Sequence, residues 1–114
     1  MQLITTLDGN AYQQVSYILD DGTTVTMTFR FLPTQNRWML DISDDSGFEA
    51  KGIFVCCYPN ILDKWHNIIK YGINITTTDS VDPFRQDDFE TGYAYVAMLN
   101  EEEKNKATEY LNGL

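Results

Sequence analysis

The sequence predicts a mainly β fold: a small antiparallel β-barrel or sandwich with one short internal helix and a C-terminal helix. Apolar and polar residues alternate through the first half, and turn-forming segments separate these runs. Helical spacing occurs only within residues 61–69 and after residue 100. The 114 residues correspond to one domain, in which we expect 1–99 to be β-rich and 100–114 to be a helical extension of the same domain.

The first two predicted strands meet at an Asp-Gly turn. Val15 and Tyr17 alternate with polar neighbours before Asp21-Gly22, a strong signal for a short hairpin. In the next run threonines occupy one face, and the other face is apolar: Val25, Met27, Phe29 and Phe31. This period of two is typical of a half-buried antiparallel strand.

A third strand follows the turn at Pro33. Trp38, Leu40 and Ile42 share one face, which predicts that Trp38 lies in the core. A turn over residues 44–47 then leads to a short strand that ends near Val55.

The spacing becomes helical after Pro59. Apolar residues occur at i, i+1, i+4, i+7 and i+8, namely Ile61, Leu62, Trp65, Ile68 and Ile69. This stripe predicts an internal helix with Gly72 as its left-handed C-terminal cap. Residues 72–78 return to strand character, with Ile73 and Ile75 on one face.

The last third predicts a loop, a strand and a helix. Residues 79–92 are polar, whereas residues 93–99 are apolar on both faces, so this strand should be covered on both sides by its own chain or by a partner. Asn100 and Glu103 form a capping-box pattern that predicts a C-terminal helix. Its apolar stripe comprises Ala107, Tyr110, Leu111 and Leu114.

The charge argues against two classes of partner. The formal net charge is −9, from 17 acidic and 8 basic residues. Phosphate binding needs concentrated Lys and Arg, so we expect no nucleic acid and no anionic membrane surface as a partner.

The cysteines and the N-terminus indicate where the protein is made. Cys56 and Cys57 are adjacent and are the only cysteines, so a disulfide framework is not expected and a reducing compartment is favoured. Residues 1–6 lack the features of a signal peptide, which predicts synthesis in a cytoplasm.

The residues do not predict catalysis. His66 is the only histidine and has no Ser or Cys nucleophile at a known motif spacing, so we interpret it as structural. Several carboxylates in 79–92 could attract Ca²⁺, yet the EF-hand order is absent and we expect solvated or partner-facing acids. We therefore expect no enzyme activity, no cofactor and no metal.

The aromatic residues offer a second interpretation besides core and ordinary surface. They make up 13% of the chain, more than so small a core needs. Rigid aromatic side chains are typical anchors of protein interfaces, and carbohydrate stacking is a weaker alternative. The predicted interface residues are Tyr58, Tyr71, Tyr93, Tyr95, Tyr110 and Trp65.

The ordered motifs resemble the small baseplate plug proteins of contractile-tailed phages. The matching segments are 24–31, with its alternating strand, and 36–42, with its Arg-Trp pair and apolar-Leu-Asp end; 72–79 and 87–92 match as well. The similarity spans about residues 12–99. The helix after Asn100 and the helical character of 59–70 depart from the family pattern.

The resemblance implies a structural virion component that supports baseplate assembly and has no enzyme activity. It implies a place in the hub region, with several copies in contact with hub, tube and spike-complex subunits. It leaves open whether the protein plugs the tube or surrounds the hub. The alternative is a non-enzymatic protein-binding module that engages a soluble host protein, and a small hydrolase that uses the acidic loop is a third hypothesis.

Overall fold

The computed structural model describes residues 2–113 and places two antiparallel sheets face to face. Each sheet is apolar on the side that faces the other. The four-stranded sheet has the order β2-β3-β4-β5 and the three-stranded sheet the order β1-β7-β6. The strands are β1 (Gln2–Ile4), β2 (Tyr12–Ile18), β3 (Thr24–Leu32), β4 (Arg37–Asp44), β5 (Glu49–Phe54), β6 (Gly72–Thr77) and β7 (Ala94–Leu99). A 3₁₀ turn (Asp63–Trp65) and two α-helices, α1 (Asp88–Thr91) and α2 (Glu101–Asn112), complete the described chain.

The four-stranded sheet is the predicted meander. Consecutive strands pair antiparallel, and the predicted core face of β3 and β4 is fully buried at Phe29, Trp38 and Leu40. The ring of Trp38 lies 5.1 Å from that of Phe89, which α1 supplies. The prediction that Trp38 is a core residue is therefore confirmed.

The three-stranded sheet closes the other side of the core. β7 is its central strand, and both of its faces are buried except at Tyr95, as the two-sided apolar pattern predicts. Ile73 and Ile75 of β6 also face the core. The two sheets do not close into a barrel in residues 2–113, so the sandwich alternative describes the fold.

The predicted internal helix over 61–69 is wrong. Only the 3₁₀ turn forms there, and Ile68, a member of the predicted stripe, is 72% exposed. The cause is Asn60, whose fully buried Oδ1 accepts hydrogen bonds from the N–H groups of Leu62 and Ile73, both at 3.0 Å. These hydrogen bonds stabilise a turn in the local backbone in place of a helix.

Gly72 is therefore not a helix cap. It is the first residue of β6, and a Cβ placed on it would lie 2.7 Å from Asn60 Oδ1. The small residue is needed because the Asn60 side chain lies directly against the strand.

The short internal helix is α1, inside the predicted polar loop, and it ends at the left-handed Gly92. The C-terminal helix is confirmed as α2, with both bonds of the capping box between Asn100 and Glu103. Its predicted apolar stripe is only half-buried at Ala107 and Leu111, and Tyr110 is 61% exposed; Leu114 lies outside the described residues. No helix within residues 2–113 is long and apolar enough to span a membrane.

Candidate protein interface

Three of the six predicted interface residues are exposed, on three different elements. Tyr58 forms an isolated bridge with Ile75 beside β6, Tyr95 lies on the outer face of β7, and Tyr110 lies on α2. A groove of about 270 Å³ beside Tyr95 runs between β1 and α1 and includes the exposed Leu3. The three tyrosines do not form one cluster.

Tyr71 lies inside the fold, which corrects its place among the predicted surface residues. It is 3% exposed, and its hydroxyl donates a hydrogen bond of 2.7 Å to Asp44 Oδ2. Burial, together with this carboxylate, raises the pKa of Tyr71 well above its ordinary value. The bond ties the end of β4 to the chain that enters β6.

Trp65 and Tyr93 are half-buried and pack against neighbours. The Trp65 ring meets that of Phe48 edge-on at 5.7 Å, and the Tyr93 ring meets that of Phe84 at 6.0 Å. The Tyr93 hydroxyl also donates to Asp79. Each side chain keeps one accessible side, and its role in an interface stays a prediction.

The outer face of the four-stranded sheet carries a cluster that sequence analysis missed. The strand register places Tyr12, Arg30, Met39 and Phe54 in one row across all four strands. Leu32 and Arg37 pair with each other beside this row. We call these six residues the arginine-aromatic patch.

Two arginine contacts organise the patch. The Arg37 guanidinium lies 3.9 Å from the centre of the Phe54 ring, a cation–π arrangement. Arg30 Nη2 donates to Asp41 Oδ1 at 3.1 Å, and Gly52 N donates to the same oxygen at 2.9 Å. Partial burial raises the pKa of Asp41, but these two donors outweigh it, so that the net pKa is lowered and the carboxylate stays charged.

The composition of the patch is that of an interface core. Aromatic residues, Met and Arg are the types enriched where proteins meet. Tyr12 is 67% exposed and Phe54 is 41% exposed, so both rings are accessible. The sequence alone could have predicted that Tyr12 is exposed, because this aromatic residue shares the polar side of β2 with Gln14.

A second surface feature lies between the turn that follows β2 and the start of α2. It is an open groove of about 570 Å³, and five of the residues that line it carry carboxylates: Asp20, Asp21, Glu101, Glu102 and Glu103. Tyr17, Leu19 and Lys70 also line it. We call this feature the acidic groove.

Some of the acidic side chains in residues 79–92 stabilise the loop backbone through hydrogen bonds, which was not predicted. Asp88 is fully buried and accepts hydrogen bonds from the N–H groups of Phe84 and Arg85 at 2.8 and 2.9 Å, and from Arg85 Nε at 2.8 Å. Asp82 accepts from Cys57 N at 2.8 Å. For Asp88 the prediction of a solvated or partner-facing acid is wrong, because its carboxylate holds the loop backbone.

Within residues 2–113 no three His, Cys, Asp or Glu side chains come together in a way that could hold a metal ion. The ring nitrogen Nδ1 of His66 lies 2.6 Å from Asp63 O, a local contact within its own turn.

Comparison with known proteins places the chain in a family. The family model described as cyanophage baseplate Pam3 plug gp18 matches residues 1–101, so nearly all of α2 lies beyond the match. No curated protein shows a significant match to the chain. With a match that covers both sheets, the chain belongs to the family of baseplate plug proteins, structural components of the phage tail baseplate.

Proposed function

We propose that the chain is a non-enzymatic subunit of a contractile-tail baseplate, where it packs at the hub beside tube and spike-complex subunits in several copies. The observation that carries the proposal is the family match over residues 1–101. A subunit of this kind needs a rigid body and adhesive surfaces and needs no reaction centre.

The surface of the molecule supports this role. Large apolar side chains are exposed on both sheets and on α2, including those of Tyr12, Ile18, Phe54, Tyr95 and Tyr110. Aromatic side chains of this kind bury much area at a low cost in conformational entropy when a partner covers them. They are distributed around the molecule, as expected for a subunit with more than one neighbour.

Purified virions provide the test. Quantitative mass spectrometry should find the chain in a fixed ratio to other tail proteins, and particles made without its gene should lack complete baseplates. Absence from finished particles would contradict the proposal. Together with capture of one defined soluble host protein, that absence would support the host-binding alternative.

Surface variants test whether the exposed tyrosines make contacts in the particle. Tyr58→Ala, Tyr95→Ala and Tyr110→Ala should leave the free subunit folded and lower its incorporation into virions. Lys64→Ala, at an exposed site in the 3₁₀ turn, serves as the control. Normal incorporation of all three tyrosine variants would mean that other surfaces make the contacts.

A further inference from the structure

The arginine-aromatic patch is positively charged on a strongly acidic protein. It holds two arginines, whereas the chain has a formal net charge of −9. Arg30 is paired with Asp41, whereas Arg37 makes no ion pair among the described residues. The unpaired guanidinium of Arg37 favours a partner that supplies carboxylates, because Arg and carboxylate form strong, directional pairs.

The accessible rings add a second requirement for the partner. Tyr12 and Phe54 stand at the two ends of the row, at the outer strands of the sheet. Covering them is favourable only if the opposing surface is partly apolar. The partner surface should therefore combine carboxylates with apolar side chains.

The acidic groove of this same protein has that combination. Asp20, Asp21, Glu101 and Glu102 line it together with Tyr17 and Leu19. The groove is open to solvent and has room for side chains of another molecule, with a volume of about 570 Å³.

One molecule cannot join its own two surfaces. Tyr12 begins β2 and Asp20 follows its end, so eight residues of extended chain separate them, or about 25 Å at ~3.3 Å per residue. The patch also lies on the outer face of the sheet, while Tyr17 points to the opposite face.

We infer that copies of this chain associate head to tail, with the arginine-aromatic patch of one copy against the acidic groove of the next. Two patches placed face to face would bring like charges together, which disfavours a symmetric contact between them. A head-to-tail contact leaves one free surface at each end, so it closes into a ring or continues as a chain of copies.

The isolated protein tests the inference by analytical ultracentrifugation over a range of concentrations. We expect association that weakens as salt is added, because the contact depends on charge. Arg37→Glu should weaken the association by about tenfold or more. Tyr12→Ala should also weaken it without a change of charge, and Lys64→Glu, which makes the same charge change outside the patch, should not.

A mixing experiment identifies the geometry. The double variant Asp20→Lys with Glu102→Gln keeps an intact patch, and Arg37→Ala keeps an intact groove without placing a new carboxylate opposite the lysine that replaces Asp20. Each should be monomeric alone, and the mixture should form dimers that grow no further. Circular dichroism of each variant checks that it is folded.

Three results would overturn the inference. The first is a wild-type protein that stays monomeric at about 1 mM, the concentration at which even a contact of ~4 kcal/mol is populated. The others are association that Arg37→Glu and Tyr12→Ala both leave unchanged, and association that strengthens with salt. None of these bears on the presence of the protein in virions, so the inference and the proposed function stand or fall separately.

Discussion

Single side chains hold the two sheets and their loops together at points that are far apart in sequence. Trp38 is the clearest case: it is fully buried, its ring packs against Phe31 and Phe89, and its Nε1–H donates to Arg85 O at 3.1 Å. The indole thus links β4 to the loop that precedes α1. Its burial and its hydrogen bond should both contribute to the free energy of unfolding.

Trp38→Ala should lower the free energy of unfolding by about 3–5 kcal/mol, as large-to-small changes in cores do. Trp38→Phe should cost less, because it keeps a packed ring and loses mainly the hydrogen bond to Arg85 O. Urea denaturation measures both. Tyr12→Ala, an exposed aromatic of the same sheet, is the control and should change the free energy by no more than about 0.5 kcal/mol. A cost for Trp38→Ala below about 1 kcal/mol would contradict the core assignment.

Asp44 and Tyr71 form a second link, and this one depends on pH. Burial raises the pKa of Asp44, but hydrogen bonds from Ser46, Tyr71 and Phe48 outweigh it, so the net pKa lies below its ordinary value. A carboxyl group whose pKa is lowered on folding stabilises the protein above its unfolded pKa, about 3.9. That stabilisation disappears as the pH falls through the pKa of the folded state.

Tyr71→Phe removes one of the donors to Asp44. The pKa of Asp44 should rise toward its ordinary value, and acid unfolding should begin at a higher pH than in the wild type. Carboxyl titration by NMR measures the first effect, and circular dichroism against pH measures the second. Tyr17→Phe, a half-buried tyrosine of β2 in the same sheet as Asp44, should change neither. An unchanged pKa of Asp44 in Tyr71→Phe would show that the hydroxyl does not stabilise the carboxylate.

At the level of elements, α2 is fixed by one buried lysine. Lys104 is 6% exposed, and its Nζ donates to the carbonyl oxygens of His66 and Ile69 at 2.7 and 3.0 Å. One turn further along the helix, Thr108 Oγ1 donates to Asp63 Oδ1 at 3.1 Å. The segment that fails to form a helix thus presents free carbonyl groups, and α2 satisfies them with a charged donor.

Lys104→Met keeps the length of the side chain and removes the donors. The buried carbonyls of His66 and Ile69 would lose their partner, at a cost of about 1–3 kcal/mol. Hydrogen exchange should become faster than in the wild type, and the increase should be larger for the α2 amides than for the β7 amides. Lys106→Met is the matched control, because Lys106 is exposed on the same helix and pairs with Glu102 at 3.4 Å. Equal effects of the two changes would argue against a specific role for Lys104.

The sequence predicts those elements whose pattern is local. The alternation in β3 and β4 and the capping box of α2 involve neighbours along the chain, and the structure agrees with these predictions. The helix over 61–69 failed because Asn60 bonds Ile73, thirteen positions away, which no periodicity records. The arginine-aromatic patch was missed for the same reason, since the strand register alone brings Tyr12 next to Arg30.

At the scale of the whole molecule, the net charge opposes the compact state. The formal charge of −9 is confined within a radius of gyration of 13.4 Å. At about 0.01 M salt the Debye length is ~30 Å, so nearly all the charges repel one another across the molecule. At about 0.1 M it is ~10 Å, and only near neighbours interact strongly.

The Tm of the monomer should therefore rise when salt is raised over this range, because screening removes more repulsion from the folded state than from the expanded unfolded chain. Scanning calorimetry at low protein concentration measures the effect, and a gain of ~1 kcal/mol would correspond to about 4–8 °C for a domain near this size. Lys64→Glu makes the net charge more negative by two and should make the rise steeper. The head-to-tail contact has the opposite salt dependence, since screening weakens attraction between the patch and the groove. A Tm that falls with added salt at low concentration would mean that local ion pairs such as Arg30–Asp41 and Arg85–Asp88 outweigh the net repulsion.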